Sequence, residues 1–115
     1  MDPVCYSVLL VDDSEEIRRL LVTVFSRHGH HCETAKDGLE ALDKVKEKSF
    51  DAVITDVEMP RMNGILLTKA LLREHPDLPI MVMTGYIRNH KIGTAMSIGA
   101  RDFIKKPFES LSDLM

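Results

Sequence analysis

Three short runs constrain this chain more than anything else in it: VLLV at 8–11, AVIT at 52–55 and IMVM at 80–83. Each is apolar at successive positions, so a strand built from it must bury both of its faces. Such runs suit the central strands of a parallel sheet covered by helices on both sides. Between them lie longer segments of helical period. From Ser14 to His28, apolar residues recur at Ile17, Leu20, Leu21, Val24 and Phe25, the stripe of an amphipathic helix, and Gly29 follows as a C-terminal cap. The segment 37–48 offers Asp37 as N-cap with Glu40 three residues on, a capping-box spacing, and a stripe of Leu39, Leu42 and Val45. Segment 64–75 ends before Pro76, and 88–99 ends in glycine. HCETA (31–35) is more polar and predicts an edge strand, while 101–106 predicts a short fifth strand. Pro107 then fits the first turn of a last helix.

The pattern is β-α five times over. Parallel neighbours need right-handed crossovers, and helices must cover both faces. A doubly wound five-stranded α/β sheet of order 2-1-3-4-5, flavodoxin-like and three-layered, satisfies this. At 115 residues the whole chain, 1–115, reads as one domain. It has no apolar run of the ~20 residues a bilayer span needs, and no signal-peptide pattern, so the expected location is cytoplasmic. A formal net charge of −3 gives no reason to expect nucleic acid or an anionic membrane as a direct partner. Cys5 and Cys32 form no CxxC pair and read as reduced thiols, and the His30-His31 pair reads as a surface turn rather than a ligand set.

Against that background, LLVDDSEE at 9–16 is conspicuous, because two carboxylates stand side by side where the first strand ends. In a doubly wound sheet, ligands bind beyond the carboxyl ends of the strands where the winding reverses, here between strands 1 and 3. Asp12 and Asp13 sit at that end of strand 1, and Asp56 sits at the same end of strand 3. Like charges brought together this way raise at least one pKa unless a cation lies among them. An all-oxygen set with room for water suits Mg²⁺, or Mn²⁺ in its place. Strand 4 ends in Thr84 and strand 5 in Lys105-Lys106-Pro107. A hydroxyl and an ammonium beside a metal-bound carboxylate describe phosphoryl transfer, in which the carboxylate attacks phosphorus. Each residue also has an ordinary reading. Asp-Asp before a helix caps it, Asp56 makes a turn, Thr84 ends a strand, Lys106 and Lys105 are solvated charges, and Phe103 is a core aromatic. Only their joint placement on one rim argues for chemistry.

With these residues in hand, the chain resembles a response-regulator receiver domain of two-component signalling. The resemblance runs through VDD (11–13), AKDGLEAL (35–42), DVEMPRMNG (56–64), MTG (83–85) and GARDFIKKPF (99–108). It implies that Asp56 accepts a phosphoryl group from the phosphohistidine of a sensor histidine kinase or phosphotransfer protein. It further implies that Asp13, Asp56 and the main-chain carbonyl of Glu58 ligate Mg²⁺, with Asp12 acting through water. Lys106 would pair with the phosphoryl group or with Asp56, and Thr84 would swing toward phosphate with Phe103 following as the aromatic switch. Lys106-Pro107 resembles the family's cis peptide. Pro60 and Gly64 would shape the loop after Asp56, with Gly64 adopting a backbone angle closed to other residues. Glu58 and Tyr86, at variable positions, are expected to tune phosphoryl lifetime. The output surface would be helix 4, strand 5 and helix 5, acting on an unknown output domain or protein, and the oligomeric state is open, phosphorylation-dependent dimerisation included.

Two rival functions remain in view. A hydrolase working through an aspartyl-phosphate intermediate, of the haloacid-dehalogenase-like kind, carries DxDx[TV] on its first strand, and this chain has no such pattern. A receiver used only for interaction typically loses the acceptor or the acid pair, and both are present. The expected role is a self-phosphorylating switch with slow autodephosphorylation, not a turnover enzyme. From Pro107 only nine residues remain. The last helix then spans about 12 Å at most, which fits either a piece of a longer protein or a stand-alone receiver.

Overall fold

The computed structural model describes residues 5–57, 59, 62–84 and 90–105, with the backbone alone at 84, 90–93 and 103–105. Among the described residues, five strands and four helices alternate in the order β1 (Ser7–Val11), α1 (Glu15–Arg27), β2 (His31–Ala35), α2 (Gly38–Glu47), β3 (Ala52–Asp56), α3 (Gly64–Glu74), β4 (Ile80–Thr84), α4 (His90–Ser97) and β5 (Asp102–Lys105). The strands form one parallel sheet of order β2-β1-β3-β4-β5, so the winding reverses between β1 and β3. The predicted order holds, as does β2 at an edge. Within the described residues, β5 begins at Asp102, one residue into the 101–106 segment, and α4 ends at Ser97, two residues before the end of the 88–99 segment.

The apolar runs bury as their composition requires. Successive strand residues point to opposite faces. Leu9, Val11, Val53 and Ile80 join Ala41, Leu67 and Leu71 on the α2–α3 side. Val8, Leu10, Ile54 and Met83 join Leu21 and Val24 on the α1 side. Val82 continues the first layer toward Ala95 and Ala100 behind α4. A fully buried aliphatic side chain contributes roughly 1.5–3 kcal/mol, so a strand apolar on both faces outweighs any weakness in local propensity.

Local signals close the helices. Ser14 caps α1, its hydroxyl accepting from the Ile17 amide at 3.3 Å. Gly29, just past the end of α1, has φ +82°, the left-handed conformation glycine takes at this place. The Asp37 carboxylate accepts from the Glu40 amide at 2.9 Å, while the Glu40 carboxylate lies 3.9 Å from the Lys44 ammonium. Asn63 caps α3 through the amides of Ile65 and Leu66, both at 3.0 Å. On β2, Lys44 donates to the Thr34 carbonyl and Lys48 reaches Glu33 at 2.7 Å.

His30 adds a contact to the turn that the sequence placed there. Its ring packs 5.4 Å from Tyr6 and 6.1 Å from Phe25, and its Nδ1 accepts from the Tyr6 amide at 3.2 Å. It follows the surface turn at 28–29, half-buried, and from there its ring also seats the start of β1.

Candidate functional site

β1 leaves the sheet at Val11, whose ladder partner on β3 is Thr55. Asp12 therefore comes just off the ladder, its amide still donating to the Ala35 carbonyl at 3.1 Å. β3 runs one residue further, to Asp56, which pairs with Met83. The Val57 amide donates to the Met83 carbonyl at 3.0 Å. The two strand ends thus deliver three acids to one place. Asp12, Asp13 and Asp56 each present a carboxylate oxygen, and these oxygens all lie within 4.8 Å of one another. Asp12 and Asp56 are buried at 0% and 5% exposure, and Asp13 is exposed.

That combination fits a divalent cation. Two of the three carboxylates have little water around them, and at such separations unit charges interact by several kcal/mol at intermediate dielectric. A doubly positive ion converts this repulsion into attraction, and oxygen-only donors with one open side suit a hard ion that keeps waters. Asp12, Asp13 and Asp56 are the described residues able to hold it.

Each acid is fixed by its surroundings. The Asp12 Oδ1 accepts from the Ser14 amide at 2.9 Å, and its main-chain carbonyl accepts from Arg18 Nη1 at 2.7 Å. At Asp56, the Thr55 hydroxyl donates to the Asp56 carbonyl at 3.0 Å. The loop beyond Asp56 returns so closely that a Cβ on Gly64 would lie 2.1 Å from that same carbonyl oxygen. The Gly64 amide donates to the Val57 carbonyl at 3.0 Å, and the Thr68 hydroxyl donates to the Gly64 carbonyl at 2.7 Å. Gly64 is required, but not for the reason the sequence suggested. It opens α3 with an ordinary helical backbone, and glycine φ angles in the left-handed region are those of Gly29 and Gly99 among the described residues. What excludes a side chain is the contact with β3.

The remaining candidates divide cleanly. Thr84 closes β4 beside Lys105, and Phe103 stands in β5 beside Val82, so their backbones reach the rim and the adjoining strand. Glu58, Pro60, Tyr86, Lys106 and Pro107 lie outside the described residues. Arg18 and Thr55 were not singled out from the sequence. Arg18 falls off the apolar stripe of α1, and nothing local marks a side chain that reaches back to a main-chain carbonyl. The cysteines take no part: both are free thiols, and burial pushes the Cys32 thiol up, against a smaller lowering by its Ser26 hydrogen bond. That is opposite to an activated thiol.

Comparison with known proteins gives a consistent answer. The family model of the response regulator receiver domain matches residues 8–115. The chain is 37% identical over 108 residues to the response regulator MprA of Mycobacterium sp. (strain KMS), covering 94% of this chain and 46% of that protein. It is 35% identical over 100 residues to the DNA-binding transcriptional regulator NtrC of Klebsiella pneumoniae, covering 87% and 21%. It therefore spans less than half the length of these curated relatives. Among solved structures, the Vibrio cholerae chemotaxis protein CheY4 superposes with a TM-score of 0.90 at 34% identity, covering 96% of this chain and 93% of that one. NtrX from Brucella abortus also gives 0.90, at 30% identity over 96% of this chain and 26% of that one.

Proposed function

This chain belongs to the response-regulator receiver family, and we propose that it works there as a phosphorelay switch in which Asp56 is the phosphoacceptor. The observation that carries this reading is the convergence of the Asp12, Asp13 and Asp56 carboxylate oxygens within 4.8 Å. Asp56 ends β3 with its main-chain carbonyl held by the Thr55 hydroxyl and closely approached by Gly64, and its carboxylate lies beside those of Asp12 and Asp13. One carboxylate oxygen of Asp56 forms a bond to phosphorus as the bond from phosphorus to the donor nitrogen of a phosphohistidine breaks, and the departing imidazole takes up the electron pair. Asp13 and Asp56, with the Glu58 carbonyl, would hold Mg²⁺, and Asp12 would reach it through water. When bound, that ion supplies positive charge against the transferring oxygens. Lys106 and the Thr84 hydroxyl are assigned to the phosphoryl oxygens on the strength of the family motif, Phe103 to the switch, and Glu58 and Tyr86 to the lifetime of the phosphoryl group.

The donor is a sensor histidine kinase or phosphotransfer protein, and the place of action is the cytoplasm. Among the described residues no helix is long and apolar enough to cross a membrane. A phosphoryl group adds up to about two negative charges. Moving a two-state receiver from mostly inactive to mostly active takes about 5.5 kcal/mol of differential stabilisation at the extreme. The surface around α4 and β5 is where the change would be read by an output module. Chain 1–115 acts as one receiver unit, modified once per cycle, without multiple turnover.

The test is direct. Incubating the protein with acetyl phosphate and Mg²⁺ should add one phosphoryl group by intact-mass spectrometry, and Asp56→Asn should add none. Unchanged incorporation in Asp56→Asn, or turnover of a small phosphate ester by the unmodified protein, would defeat the reading.

A further inference from the structure

The first turn of α1 holds a residue whose reach is unusual for its position. Side chains on a helix tilt toward its N-terminus, and Arg18, one turn after the Ser14 cap, runs back along the helix to the strand it came from. Its Nη1 donates to the Asp12 main-chain carbonyl at 2.7 Å, and its own amide donates to the Ser14 carbonyl at 3.0 Å. The corner between β1 and α1 is then tied at three points: the Asp12 amide on Ala35, the Asp12 carbonyl on Arg18, and the Asp12 carboxylate on the Ser14 amide. Among the described residues, Arg18 has no carboxylate within ion-pair distance, whereas its neighbour Arg19 is spent on Glu15 at 2.7 Å and is exposed. Arg18 is partly buried, so the bond it makes is sheltered.

We propose that Arg18 is a positioning residue of the acidic pocket. Its guanidinium fixes the peptide plane after Asp12, and that plane sets where the carboxylates of Asp12 and Asp13 point relative to Asp56. This rests on reading the three aspartates as a divalent-cation site. Two effects of Arg18 on a bound cation have opposite signs. As a nearby positive charge, Arg18 weakens cation binding. As an anchor for the corner, it strengthens it. Outer contacts that orient ligands alter metal affinity by roughly 10–100-fold, and we place anchoring above charge, since solvent screens an exposed side of the pocket.

The experiment is a Mn²⁺ titration of the metal-free 115-residue chain, reading free ion by electron paramagnetic resonance. Arg18→Ala should raise the Mn²⁺ Kd about tenfold, Arg18→Lys should recover much of the loss because an ammonium can donate to the same carbonyl, and Arg19→Ala should leave the Kd where it was. The metal-free melting temperature of Arg18→Ala should fall below that of Arg19→Ala, by the loss of one sheltered hydrogen bond, and Arg18→Lys should recover it. An unchanged or tighter Kd in Arg18→Ala overturns the inference. So does a fall in metal-free stability in Arg18→Ala beyond that of Arg19→Ala, with no rescue by lysine, which would make the residue merely structural. If the unsubstituted chain binds no Mn²⁺, the reading of the pocket itself fails, and the role of Arg18 falls with it.

Discussion

At the end of β1 a buried aspartate, Asp12, leads into α1, and at the end of β2 a buried aspartate, Asp37, leads into α2. By residue type and position the two corners are alike, but their aspartates do different jobs. Asp37 caps α2 by accepting from the Glu40 amide. At the other corner the cap is supplied two residues later by Ser14, and this leaves the Asp12 carboxylate to converge with Asp13 and Asp56. The lesson is that an aspartate before a helix becomes a site residue when another side chain takes over the cap and the neighbouring strand brings a second acid.

The severest way to break this arrangement is at Gly64. A methyl there meets the Asp56 carbonyl oxygen at 2.1 Å, and backbone in a central strand cannot step aside. Gly64→Ala should cost about 3 kcal/mol or more, read as a lowered urea midpoint, and phosphoryl incorporation should fall with it. Next, Asp12→Asn should raise the Mn²⁺ Kd at least about tenfold (about 1.4 kcal/mol) while leaving metal-free stability unchanged or improved, since a like charge has gone. Asp37→Asn should leave the Kd alone; a loss of metal affinity in both would erase the distinction between the corners. Asp37→Ala and Ser14→Ala should each lose about 1 kcal/mol of stability by urea titration, and Ser14→Ala without effect would mean that Ser14 is not the cap.

The smallest effect lies away from both corners. Lys48 hydrogen-bonds Glu33 and holds its carboxyl below the ordinary range. Because the folded pKa is lowered, the stabilisation is present above the unfolded pKa and disappears as pH falls through the folded one. Lys48→Ala should cost a few tenths of a kcal/mol near neutrality, and melts repeated in acid should show the gap closing. A gap that persists in acid would point to lost packing of the lysine stem instead.

Much of this was legible beforehand because the informative features are periodic. VLLV, AVIT and IMVM suit central strands, and once they are such strands, the switch point between β1 and β3 brings Asp12, Asp13 and Asp56 together. What escaped is tertiary. The closeness of Gly64 to β3 has no signature at 64 itself, and a conformational reading of the glycine was the natural local guess. The Arg18 tie joins a side chain to a main-chain carbonyl, which leaves no pattern in residue types. His30 seats Tyr6 through a backbone amide, again invisible in composition.

The Lys44 ammonium resting on the Thr34 carbonyl has a consequence for assembly. β2 is a flank of the sheet, where an uncovered row of peptide groups would invite a foreign strand to zip on. With a cation parked there and Lys48 stationed beside it on Glu33, an intruder would have to evict charge before making its first rung. Partners approaching from that flank are thereby turned toward helices and loops, and the sheet is kept from lengthening into a shared ribbon.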